Sequence, residues 1–340
     1  MKYRPLADTG IFVSELCLGT MTFGGSGRIW EAIGGIDQTV VDGIVHRALD
    51  AGINFIDTAN VYAAGESETM LGKALGSKRA DIVLATKVRG RTGQGANQVG
   101  LSRLHIMREV DASLTRLGTD YIDLYQIHRH DPLTNIEDTL RALDDLVRSG
   151  KVRYIGCSNL PAWQLMKALA LSREQHLERF RCTQSYYSLV GRDLEREMIP
   201  LIEDQGLGLL VWSPLAGGFL SGKFTRTGGD EAARRAKFDF PPVNKEKGFD
   251  VLDVLATVAG RHGVSVPQIA LAWILAKPIV TSVIIGARRL PQLDDNLKAI
   301  DVALTADDLK ELDEVSKLTL EYPEWMSILG TDRKPGERRY

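Results

Sequence analysis

A chain of 340 residues, 44% hydrophobic and 25% charged, has the composition of an ordinary globular protein and the length of one large barrel or two medium domains. Its formal net charge of −2 gives no overall field toward nucleic acid or an acidic membrane surface, and no run approaches the ~20 apolar residues of a membrane span. Three widely spaced cysteines, Cys17, Cys157 and Cys182, show no CxxC and no metal-finger spacing, so they read as small buried hydrophobes and not as a disulfide framework or a metal site.

Met1–Leu6 lacks the long apolar stretch of a signal peptide, which leads to an expectation of a cytoplasmic protein. Lys2–Leu6 and Ile11–Val13, joined by Asp8-Thr9-Gly10, read as a β-hairpin. Strand and helix signals then alternate. The expected strands are Leu16–Leu18, Asn54–Asp57, Ile82–Lys87, Ile122–Tyr125, Tyr154–Cys157, Cys182–Ser185, Leu209–Trp212 and Val283–Ile285. Between them run apolar stripes at helical spacing: Val40, Val41, Ile44, Val45, Ala48 and Leu49; Ile106, Val110, Leu114 and Leu117; Leu140, Leu143, Leu146 and Val147. Asn135 is placed to cap the third of these helices, and Gly52, Gly118, Gly150 and Gly206 stand where left-handed C-terminal caps are wanted.

Eight β/α units in one series predict an α/β fold, a (β/α)8 or TIM barrel, with a single domain over residues 1–330 and a flexible tail over 331–340. Three glycine-bearing loops, Thr20–Gly35, Val88–Gly100 and Gly217–Gly248, follow strand ends and so overhang one face. The last is the longest and carries several basic residues. It is expected to be mobile and to close when a ligand binds.

Four polar runs sit where apolar segments stop: Asp57-Thr58-Ala59-Asn60-Val61-Tyr62, Ala85-Thr86-Lys87, Tyr125-Gln126-Ile127-His128 and Gly156-Cys157-Ser158-Asn159. In a parallel barrel such ends converge on the face that holds the chemistry. Asp57, Tyr62, Lys87 and His128 together suit proton donation to a carbonyl. Tyr62 is the acid, Lys87 makes the phenol more acidic, Asp57 holds Lys87, and His128 orients the carbonyl oxygen. His130 shares a side with His128 on an extended chain, but His128 ends the apolar run. The histidines form no ligand constellation, so no metal is expected.

Five ordered runs, Leu18–Gly24, Asn54–Ala59, Asp123–His128, Gly156–Asn159 and Trp212–Leu215, make the chain resemble the aldo-keto reductase superfamily over nearly its full length. Ser213–Gly218 and Ser221-Gly222-Lys223 look most like the bacterial and potassium-channel-β-subunit-like branch. The resemblance implies NADPH (or NADP+) extended across the C-terminal face of the barrel, and a reversible reduction of an aldehyde or ketone to an alcohol. It implies cofactor contacts from Gly19, Thr20, Met21, Asp57, Ser158, Asn159, Gln184, Trp212, Ser213, Pro214, Leu215, Gly217, Leu220, Lys223, Gly286, Arg288, Gln292 and Asn296. Within that set Ser158, Asn159 and Gln184 would bond the nicotinamide carboxamide, and Trp212 would lie beneath the ring. Arg288 would take the 2′-phosphate, with Gln292 and Asn296 facing adenine. Asp295 departs from the usual Glu.

Phe23, Trp30, Tyr62, His128 and Trp325 are the expected substrate pocket. The partner is then a small-molecule carbonyl or alcohol. A sugar, a quinone-like carbonyl, a pyridoxal-type aldehyde and a polycyclic secondary alcohol all remain open, as does the oligomeric state. The alternative function is a nucleotide-sensing regulatory subunit of the same fold with little turnover.

Overall fold

In the computed structural model, which describes residues 1–25, 30, 33–230 and 234–329, the hairpin pairs β1 (Tyr3–Pro5) with β2 (Phe12–Ser14). Eight parallel strands follow: β3 (Leu16–Gly19), β4 (Phe55–Asp57), β5 (Val83–Val88), β6 (Ile122–Ile127), β7 (Val152–Ser158), β8 (Phe180–Tyr186), β9 (Gly208–Trp212) and, after a small hairpin of β10 (Phe224–Thr225) and β11 (Gly228–Gly229), β12 (Val280–Ile285). They close in the order β12-β3-β4-β5-β6-β7-β8-β9. The expected tail, 331–340, lies outside the described residues, as do parts of the loops Thr20–Gly35 and Gly217–Gly248.

The helices fall where the stripes place them, over Gln38–Asp50, Arg103–Leu117 and Ile136–Arg148. Asn135 caps the third, accepting from Glu137 N at 3.2 Å. Gly118 ends the second in a left-handed conformation at φ 64°, which a Cβ would penalise. Several strands begin earlier than their apolar runs suggest. β7 starts at Val152 and β8 at Phe180, because Arg153 and Arg181 interrupt the apolar pattern while their backbones stay in the sheet. The long loop is shorter than expected: a helix begins at Lys245 and runs to His262, taking in Gly248.

Alternation along the strands builds the barrel interior. Cys17, Phe55, Ala85, Leu124, Cys182 and Leu210 form one buried apolar cluster with Leu6 and Val13 of the N-terminal hairpin. Two residues further on, pointing to the same side of each strand, stand Gly19, Asp57, Lys87, Gln126, Gln184 and Trp212. An apolar layer thus lies beneath a polar one at the C-terminal mouth.

The hairpin seals the other end. The Arg4 guanidinium donates to the carbonyls of Leu275 (2.7 Å) and Val280 (2.5 Å), where the chain enters β12. Leu6 has no exposed surface, whereas Phe12 on the same hairpin is 58% exposed. Leu6→Ala is therefore expected to lower unfolding free energy in denaturant titration by ~2–5 kcal/mol, the usual range for a leucine removed from a packed core. Phe12→Ala should shift it by no more than ~0.5 kcal/mol.

Candidate active site

Every barrel strand delivers a residue to the mouth, polar or small in all but β9. Gly19, Asp57, Ser158 and Trp212 end β3, β4, β7 and β9. Lys87 is the penultimate residue of β5, and Gln184 stands two from the end of β8. His128 and Gly286 follow β6 and β12 directly.

Lys87 is fully buried, and its three ammonium protons are all placed. They go to Asp57 Oδ2 at 2.5 Å, Thr58 O at 2.9 Å and Tyr62 Oη at 3.3 Å. Asp57 Oδ1 accepts from Gln126 Nε2 at 3.0 Å and Gln184 Nε2 at 2.8 Å. Burial pulls the ammonium toward its neutral form, but Asp57 and Tyr62 outweigh it, and the net shift for Lys87 is upward. Lys87 is thus a cation at any physiological pH. Tyr62 rides on the short turn Tyr62–Gly65, where Ala63 and Ala64 adopt positive φ of 45° and 55°. Its ring meets that of His128 edge-on at 5.8 Å.

Tyr62 and His128 face a cavity of about 640 Å³ that runs from Arg89 and Arg129 across the mouth to Arg288, Gln292 and Asn296. Gly19, Thr20, Met21, Asp57, Ser158, Asn159, Gln184, Trp212, Ser213, Pro214, Leu215, Gly217, Lys223 and Gly286 line it as well. Four expectations need correction. Leu220 is fully buried beneath the loop and does not reach the cavity. Phe23 is buried in the main apolar core and not in the pocket. Trp325 stands on the terminal helix, 44% exposed and packed edge-on against Tyr322, away from the cavity. Trp30 is not among the lining residues, although its ring lies 5.8 Å from that of Tyr62.

The amide groups at the mouth already brace one another. Ser158 Oγ donates to Gln184 O at 2.8 Å. Asn159 Nδ2 donates to His128 O at 3.0 Å, and Asn159 Oδ1 accepts from Trp212 Nε1 at 3.1 Å. Both Gln184 amide protons are spent, on Asp57 and on Gln126 Oε1, which leaves its carbonyl oxygen for a ligand. Asp295 turns out of the cavity to accept from Ser265 and Gln268, so its departure from Glu does not touch the cavity wall.

Sequence reasoning missed several residues. Gln126 shares its strand side with Leu124, a signal that alternation held. Arg235 is buried in the loop, donates to Ala216 O and Pro241 O, and pairs with Asp239 at 2.7 Å. This pins Phe240 parallel to Trp212 at 5.9 Å. Gly217 sits at φ 65° with the Phe240 carbonyl where a Cβ would go, so only glycine lets the loop fold back there. Glu109 accepts from Asn60 and Thr92, each at 2.8 Å, and so ties two cavity loops to one helix.

The sequence model of the Aldo/keto reductase family matches residues 15–317. Among similar proteins, an uncharacterized oxidoreductase, YrpG, of Bacillus subtilis is 39% identical over 93% of this chain and 96% of its own length. The versiconal hemiacetal acetate reductase of Aspergillus parasiticus is 35% identical over 92% of this chain and 96% of its own. A protein of Arabidopsis thaliana named "Probable voltage-gated potassium channel subunit beta" is 36% identical over 95% and 99%.

The titration of His128 is displaced downward. Burial, then the charges of Lys87, Arg129 and Arg89, push its imidazole down to about 3. It is neutral in the folded state at working pH. An unfolded histidine takes up its proton near ~6.5, so between that pH and 3 the unfolded chain binds a proton that the folded chain does not. Stability must then fall as pH falls, by up to ~1.4 kcal/mol per pH unit from this group. Denaturant titrations at pH 5 and 7 should show this loss in the wild type and a smaller loss in His128→Gln.

Proposed function

Because this chain belongs to the aldo/keto reductase family, we propose that it is an NADPH-dependent oxidoreductase that reduces an aldehyde or ketone to an alcohol, reversibly. The observation that carries this reading is the buried Asp57–Lys87 pair whose remaining ammonium proton meets Tyr62 at the cavity surface. A cation at that position favours the phenolate that proton donation leaves behind.

The cavity wall suits the cofactor. Arg288 lines it and forms no ion pair among the described residues, as a 2′-phosphate partner should. Gly217 and Gly218 put no side chain over the adjoining stretch, and Lys223, paired with Asp230 at 3.5 Å, can turn to a phosphate. Ser158, Asn159 and the Gln184 carbonyl would hold the carboxamide end, with Gln292 and Asn296 at the adenine end. When bound, NADPH supplies the hydride to the carbonyl carbon. The chain's own work is at the oxygen. As negative charge develops there, Tyr62 gives up its proton, Lys87 stabilises the resulting phenolate, and the neutral imidazole of His128 donates to the same oxygen. General acid catalysis of this kind contributes ~10²–10⁴-fold, and positioning supplies much of the remainder.

A second reading draws on the plant relative named as a channel subunit: a nucleotide-sensing regulatory subunit with little turnover. NADPH oxidation screened over aldehydes, ketones and sugars separates the two, since a regulatory subunit would bind the cofactor and turn over none of them.

Tyr62→Phe is expected to cut kcat by at least ~10²-fold while leaving NADPH affinity within a few-fold, because the phenol acts only as charge develops. A near wild-type kcat would remove Tyr62 from the role of acid. NADPH should bind ~10–100-fold more tightly than NADH, the value of one charge-assisted contact to phosphate. Arg288→Ala should erase most of that preference in fluorescence titration.

A further inference from the structure

Besides Arg288, two guanidinium groups on the cavity wall form no ion pair among the described residues. Arg89 follows β5 and Arg129 follows His128 at the end of β6, and both line the cavity. Among the described residues neither side chain makes an ion pair or a hydrogen bond, and Arg89 Nε is buried without a partner. Arg235, on the same cavity, is paired with Asp239. The carboxylate that bears on Arg89, Asp131, is committed elsewhere. It accepts from Leu101 N at 2.7 Å, Thr134 Oγ1 at 2.7 Å and Leu133 N at 3.2 Å. Burial and the Arg129 charge both disfavour the Arg89 cation, with only Asp131 opposing them. A buried, unmatched guanidinium donor is costly unless a ligand answers it.

The backbone agrees. Arg89 sits at φ 133°, a region that favours glycine and costs a side-chain-bearing residue of order 1–3 kcal/mol. Its carbonyl is held there by Gly100 N at 2.9 Å. A bulky cation kept in a strained conformation beside the expected reaction centre calls for a use.

The position decides which ligand. β6 lies directly across the closed barrel from β12, after which Arg288 stands. One cationic end is therefore at the proposed 2′-phosphate site, and the other is at Tyr62 and His128, where the substrate must present its carbonyl.

We propose that Arg89 and Arg129 form a subsite for an anionic group on the substrate, so that the preferred substrates are carbonyl compounds bearing a carboxylate or similar acid. This inference rests on the carbonyl-reductase reading of the site. Arg129, exposed at the rim, guides and pairs with the acid, and Arg89 meets it deeper in the wall.

The test compares 4-carboxybenzaldehyde with its methyl ester, which differ chiefly in charge. Wild-type kcat/KM is expected to favour the acid by about 10–100-fold, the worth of a charge-assisted contact, with the ratio falling as salt rises. Arg129→Met and Arg89→Met should each collapse that ratio, mainly through KM, and Arg89→Lys should restore part of it. A wild type that reduces the ester as well as the acid, or variants that keep the ratio, would overturn the subsite. Benzoate titrated against benzamide in the presence of NADP+ reads the site without turnover. Tighter benzoate binding that is lost in Arg129→Met supports it even if neither aldehyde is reduced, an outcome that would count against the reductase reading alone. Equal affinities overturn it whatever the kinetics show.

Discussion

The site depends on one buried ion pair. Desolvating Asp57 and Lys87 costs several kcal/mol per ion, and mutual attraction offsets this only when the other donors and acceptors are also satisfied. Here they are. All three ammonium protons of Lys87 have acceptors, and Asp57 takes Lys87 on one oxygen and two glutamine amides on the other. Those partners come from different parts of the ring. Asp57 ends β4, Gln126 is on β6 and Gln184 on β8, four places round the barrel from β4. The contact from Gln184 to Asp57 therefore spans the mouth, and the pair ties opposite walls together. A polar cap of this kind is affordable only over a dry floor, which the layer of Phe55, Leu124, Cys182 and Leu210 provides.

Strain gathers around the same mouth. Ala63, Ala64, Arg89, Asn159, Ser213 and Ala216 all adopt positive φ, and all lie on segments that leave the C-terminal ends of barrel strands. Each is braced by a specific contact or a tight turn: Asn159 by its amide bonds to His128 O and Trp212, Ser213 by its hydroxyl on Gly217 N at 2.9 Å. The sheet supplies rigidity, and the departing segments are bent sharply so that side chains turn inward over the barrel axis.

Much of this architecture is legible in the sequence. Strand ends are marked by a change from apolar to polar residues, and a parallel barrel puts all such ends on one face; the staggered register, with Asp57 beside Ala85 and Lys87 beside Gln126, then sets which of them meet. Aromatic character was a poorer guide. Phe23 and Trp325 carry the same chemistry as a pocket residue, yet one fills the core and the other packs on a surface helix, because composition does not say which way a loop turns. Nothing in the sequence singles out Arg89 and Arg129. Only their shared wall, and the engagement of Asp131 by Leu101, Leu133 and Thr134, distinguish them from ordinary surface charge. Arg235 and Gly217 needed tertiary contacts that local periodicity does not encode.

Burial and the neighbouring charges together keep the histidine neutral. Burial first, and then Lys87, Arg129 and Arg89, disfavour the His128 imidazolium, so in the proposed reaction the residue serves as a hydrogen-bond donor and not as a competing acid. In that reaction proton supply falls to Tyr62, whose conjugate base Lys87 would hold beside Asp57. The same positive surroundings favour negative charge on a carbonyl oxygen and cost nothing to reorganise, since the cations are fixed by the barrel before substrate arrives. Asp57 prevents that field from expelling Lys87 itself. A neutral donor, a neutral acid and a cation locked to a buried carboxylate together make the mouth favour an oxyanion without any group there changing charge beforehand.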